Sequence, residues 1–119
     1  MIAQCQIYNA RLQFFDVVLY TTEHETIHKF PVHKVILHTR CAYLSRYVRE
    51  ALIDENIHDE SGIQMVEMHC IDYQLLQAVL IYLYTDQVEI PPHKIDDLSN
   101  IGLNYGLVRL HNLRIFPLD

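Results

Sequence analysis

Eight histidines and three cysteines give this 119-residue chain metal-binding and nucleophilic side chains, but their spacing assembles neither kind of site. His24 and His28 stand four apart on a segment that reads as a hairpin, where that spacing does not build a shared helical face. His69 and Cys70 could form a ligand pair, with no third or fourth ligand close in sequence. The histidines therefore read as scattered core and surface residues, and no metal is expected. Cys41 borders an apolar stripe and reads as an inert buried thiol. Ser45, Ser61 and Ser99 lack the glycine-flanked setting of a hydrolase nucleophile. Three glycines, at 62, 102 and 106, cannot make a phosphate-cradling loop. Asp96 and Asp97 read as a solvated face or as first-turn helix charges. No enzyme activity, cofactor or small-molecule substrate is expected, which leaves binding through surfaces.

Size and charge narrow the class. The length suits one domain, and half the residues are apolar, enough for one core. The formal charge of −6, with no basic stripe, argues against nucleic acid as a partner. The odd, widely spaced cysteines Cys5, Cys41 and Cys70 favour a reducing setting, cytoplasmic or nuclear. No signal peptide is legible, and the longest apolar run, Ala78 to Tyr84, is far short of the roughly twenty residues that cross a bilayer.

The elements that would carry a binding surface follow from pattern. Residues 1–15 fit neither helix nor strand period well, and both readings stay open for residues 6–13. Asp16 to Thr22 is β-branched and aromatic and reads as a strand. Glu23 to Glu25 forms a turn, and Thr26 to Phe30 returns as the second strand of a hairpin, ended by Pro31. His33 to His38 is a short helical segment. Cys41 to Leu52 is a fuller helix with Leu44, Val48, Ala51 and Leu52 on one stripe and Arg46, Arg49 and Glu50 opposite. Asp54 to Gly62 is an acidic loop, and Ile63 to Met68 is a third strand. Asp72 caps a buried helix over Tyr73 to Tyr84. Val88 to Ile90 is a short extended piece. Pro91 and Pro92 lead into a helix from His93 to Leu103, Gly106 breaks it, and Leu107, Leu110 and Leu113 mark a last short helix. The order is β-β-α-α-β-α-α-α: an α+β fold, a small three-stranded sheet capped by five or more helices.

Three pieces in order resemble the BTB/POZ domain family. The first is Asp16-Val-Val-Leu19, then Phe30, His33, Lys34 and Leu37, then Tyr43-Leu44. The second is Leu80 to Ile90, with its Tyr-Leu-Tyr-Thr core, and the third is Leu98 to Leu113 around Asn104-Tyr-Gly-Leu107. Asp86 stands where the family often has glycine, and aspartate also tolerates a tight turn. The resemblance implies a BTB/POZ domain over residues 16–113, with a lead-in at 1–15 that can serve dimerisation and a tail at 114–119. Independently of it, His33, where the chain folds back under the sheet, needs a polar partner, with Asp16 or a backbone carbonyl as candidates.

The resemblance also implies function: a protein–protein interaction module that self-associates, docks on cullin 3 as part of a ubiquitin-ligase substrate adaptor, or does both. Self-association would use Phe14, Phe15 and the face from Val35 to Leu44. In the cullin-binding members a hydrophobic-x-Glu motif follows the helix that begins at the Tyr-Phe pair. Counting from Tyr43-Leu44 puts it on Leu52-Ile53-Asp54, with Asp54 in place of glutamate and Glu55 next. The other reading is that Leu52 closes the core stripe and Asp54-Glu55 starts a solvated loop. Tyr47, Tyr84, Asp86 and Tyr105 are further cullin-facing candidates. The alternative function is a BTB domain that only oligomerises within a transcriptional or cytoskeletal protein.

Overall fold

The computed structural model describes residues 13–54 and 58–112, except for the side chains of residues 52–54. The start of the lead-in, Glu55 and the tail from residue 113 lie outside the described residues.

The sheet is built on β1 (Val17–Glu23), which pairs antiparallel with β2 (Thr26–Val32) and parallel with β3 (Gln64–Glu67), in the order β2-β1-β3. Val17 lies opposite Val32 and Leu19 opposite Phe30 and Val66, so one face of the sheet is apolar and buried. The β1–β2 turn places His24 and Glu25 at φ 49° and 67°. Two successive left-handed residues match the twist of a tight hairpin, at a steric cost that glycine would avoid. Pro31 does not end β2: the strand continues to Val32, and Pro31 pairs with Val18 in the ladder. β2 is an edge strand, where a missing N–H is tolerated.

Five helices follow in the expected order. Helix α1 (Lys34–Arg40) ends at Cys41, whose extended backbone still donates its N–H to the Leu37 carbonyl. Helix α2 (Ala42–Asp54) starts at once, with Leu44 and Val48 buried and Arg46, Arg49 and Glu50 exposed. Helix α3 (Tyr73–Thr85) is the central one; Leu75, Leu76, Ala78, Val79, Leu80 and Leu83 are all buried. A 3-10 turn (Pro92–Lys94) leads into α4 (Ile95–Tyr105), and α5 (Val108–His111) closes the described chain. Val88 to Ile90 carries no sheet pairing among the described residues.

Carboxylates fix the start of α3. Asp72 accepts the Leu75 N–H at 2.8 Å, and Glu23, from the hairpin, accepts the Tyr73 N–H at 2.7 Å. Lys94 pairs with the other Asp72 oxygen at 2.7 Å, tying the 3-10 turn to α3. Partial burial raises the Asp72 carboxyl, but Lys94 and the Leu75 N–H outweigh it and hold it below the ordinary carboxylate value. Helices α4 and α5 meet at Gly102, where an added Cβ would lie 2.5 Å from the His111 nitrogen and 2.7 Å from Leu110 Cβ. Ser99 Oγ donates to the His111 carbonyl at 2.5 Å across the same contact.

Candidate interaction surfaces

The chain enters the domain through a three-residue network. His33 precedes α1 in extended conformation. Its Nε2 lies 2.7 Å from the Gln13 carbonyl oxygen, which can only accept, so Nε2 carries the proton. Its Nδ1 lies 2.8 Å from the Tyr84 hydroxyl, which also accepts the His33 backbone N–H at 3.0 Å. In the neutral ring the Tyr84 O–H therefore donates to Nδ1. Of the two partners expected for His33, the backbone carbonyl is present and Asp16 is not. Asp16 instead accepts the Lys34 N–H at 2.8 Å, capping α1 from the start of β1.

This network anchors Gln13, and Phe14 follows it in left-handed conformation, φ 61° and 92% exposed. Val35, two residues after His33, is 64% exposed. Two large apolar side chains thus lie in solvent on either side of one anchored junction. Phe15 is half-buried. Leu44 is not part of that exposed surface: it is wholly buried in the core, because α2 turns it inward with Val48. Phe30 and Leu37 are core residues too, and Lys34 reaches Gln64 Oε1 at 3.3 Å.

A second surface is aromatic. Tyr43 stacks on Tyr105 with ring centroids 4.4 Å apart and meets Tyr47 at 6.2 Å. Tyr47 is half-buried and donates its hydroxyl to the Glu67 carbonyl at 3.1 Å, joining α2 to β3. Tyr105 is only 7% exposed, so its ring supports the surface from beneath. Burial pushes the Tyr105 phenol well above its ordinary value, and likewise raises the Cys41 thiol, which donates to the Tyr105 carbonyl. Helix α2 continues through Leu52 to Asp54, so this segment forms its last turn rather than following it.

The turn after α3 is held by charge. Asp86 adopts the left-handed conformation, φ 60°, and its N–H bonds the Tyr82 carbonyl at 2.8 Å. Its carboxylate pairs with Arg40 of α1, and Arg109 of α5 donates to its carbonyl oxygen at 3.3 Å. The Arg40 guanidinium holds the Asp86 carboxyl below its ordinary value and lies 5.9 Å over the Tyr82 ring. Tyr84 and Asp86, expected to face a partner, thus each carry an internal bond. Sequence reasoning missed Gln13, Glu23, Arg40 and Arg109, which all act across long stretches of chain, where pattern gives no signal.

The sequence matches the BTB/POZ domain family over residues 6–114. Among solved structures, the BTB domain of zebrafish PATZ1 is similar at TM-score 0.65 and 19% identity, covering 92% of this chain and 82% of that one. The BTB (Tramtrack and Bric a brac) domain of human Gigaxonin is similar at TM-score 0.63 and 21% identity, with the same coverage of 92% and 82%. With the β-β-α-α-β-α-α-α order and the Asp16, Phe30, His33, Lys34 and Leu37 constellation in place, the chain belongs to the BTB/POZ domain family.

Proposed function

We propose that this domain works by association, not catalysis, and that its first partner is a second copy of itself. The observation that supports this is the junction at Gln13. The fold exposes Phe14 at 92%, next in sequence to the anchored Gln13, and Val35 at 64%, two residues after His33, leaving large apolar side chains in water that a partner surface could cover. Phe15, half-buried, follows Phe14 in the chain. A standard interface removes about 800 Å² per partner.

Docking on cullin 3, within a ubiquitin-ligase substrate adaptor, is the further reading. It draws support from the half-buried Tyr43–Tyr47 pair and from the helical continuation to Asp54, next to Glu55. Tyrosine offers large contact area at low entropic cost. A domain that only oligomerises, within a transcriptional or cytoskeletal protein, is the competing reading. Cytoplasmic or nuclear residence suits all of these. No helix among the described residues is long and apolar enough to cross a membrane.

Light scattering after size-exclusion chromatography, with and without the cullin 3 N-terminal domain, separates them. Self-association with a cullin complex supports the adaptor. Self-association without one supports the oligomerising module, and a monomer that binds neither sinks both.

A further inference from the structure

A cleft of about 320 Å³ opens between α1 and α2, lined by Lys34, Leu37, His38, Ser45, Val48 and Arg49. Leu37 and Val48 give it an apolar wall, being 1% and 3% exposed. The other four residues are polar, and three of them are cations or a histidine. No carboxylate lines it among the described residues, although the whole chain carries a formal charge of −6. The Lys34 ammonium meets only the neutral amide oxygen of Gln64, and Arg49 is exposed and has no ion pair among the described residues. His38 Nδ1 and Ser45 Oγ lie 3.5 Å apart at the same cleft. The volume falls in the range, about 300–1,000 Å³, of pockets that hold a ligand.

We propose that this cleft docks a short acidic peptide segment carrying one or two large aliphatic side chains. The aliphatic groups lie against Leu37 and Val48, and the flanking carboxylates meet Lys34 and Arg49. A local basic rim on an acidic protein selects this occupant over a basic one and steers its approach. The proposal does not rest on self-association. Lys34, Leu37 and His38 recur three and four residues apart on the α1 face toward α2, whereas Val35 lies off that face.

The probe is a fluorescein-labelled hexapeptide with two leucines between two acidic pairs, titrated with the full chain and read by fluorescence anisotropy. Saturable binding is expected, weakened about tenfold or more by replacing both leucines with serine, and by a similar factor in Arg49→Glu. Ser45→Trp, which fills the cleft, is expected to abolish it, and Val35→Ser, which adds no charge near the basic rim, to leave it unchanged. Binding should also weaken as salt rises. Failure to saturate at millimolar peptide, equal binding of the leucine and serine peptides, or indifference to both Arg49→Glu and Ser45→Trp would overturn the proposal. So would loss of self-association in Arg49→Glu and Ser45→Trp with no peptide bound by the parent chain, which makes the cleft a seam between copies.

Discussion

The Tyr84 hydroxyl holds His33 twice, at the backbone N–H (3.0 Å) and at Nδ1 (2.8 Å), across 51 residues of sequence. Through the Gln13 carbonyl on the other ring nitrogen, the same imidazole sets the path of the chain that presents Phe14. The end of α3, the start of α1 and Gln13 are therefore one hydrogen-bonded unit.

Tyr84→Phe removes both bonds and leaves part-buried polar groups unsatisfied, at a cost of about 1–3 kcal/mol in urea unfolding. His33→Ala should cost a similar amount. Because the two side chains share the interaction, the double variant should lose less than the sum of the singles. Full additivity would mean that the contact contributes nothing.

The Asp72–Lys94 pair gives the stability a pH dependence of known sign. The Asp72 carboxyl titrates below the ordinary aspartate value in the fold, so its contribution is complete above that value and is lost as pH falls through the lower, folded one. Asp86 acts in the same direction through Arg40. Lys94 is shifted upward from 10.5, so its share is complete below that value and is lost only as pH rises through the raised one. Asp72→Asn keeps an N-cap but removes the charge. Its melting temperature should be lower at neutral pH and fall less steeply as pH drops below the ordinary aspartate range. Parallel acid limbs in the two proteins would rule the pair out as a stabiliser.

Gly102→Ala should destabilise by about 1–3 kcal/mol, because the added methyl meets the His111 backbone at 2.5 Å and one helix must move. The reason is crowding rather than backbone freedom. Gly106 differs: it has open space but φ 71°, and Gly106→Ala should cost about 1 kcal/mol through strain. Thermal unfolding monitored by circular dichroism measures both.

Leu52→Asp, in the last turn of α2, tests the cullin reading. Loss of cullin 3 binding with an unchanged melting temperature assigns Leu52 to the interface. Loss of both assigns it to the core stripe, and retained binding shows that the motif was misplaced.

What was legible in the sequence was what local pattern determines. Asp72 read as a cap because its side chain reaches only three residues on. The buried α3 is legible from its apolar run, and aspartate's tolerance of tight turns agrees with Asp86 at φ 60°. Pro31 misled because a proline reads as a strand end unless the strand is known to lie at a sheet edge, which only the topology reveals. Leu44 and Tyr105 read as partner-facing because family resemblance names positions, not orientations; the helix phase turns both inward. The links from Gln13 to His33, Glu23 to α3 and Arg40 to Asp86 span 20 to 50 residues and leave no trace in any short window.

The most direct test of the account is the solution mass of the chain beside that of Phe14→Asp combined with Val35→Asp, by size-exclusion chromatography with light scattering. The account predicts a parent species of at least twice the 14.1 kDa chain mass and a folded monomer for the double variant. A parent chain that stays at one chain mass, or a double variant that associates as well as the parent, would contradict it.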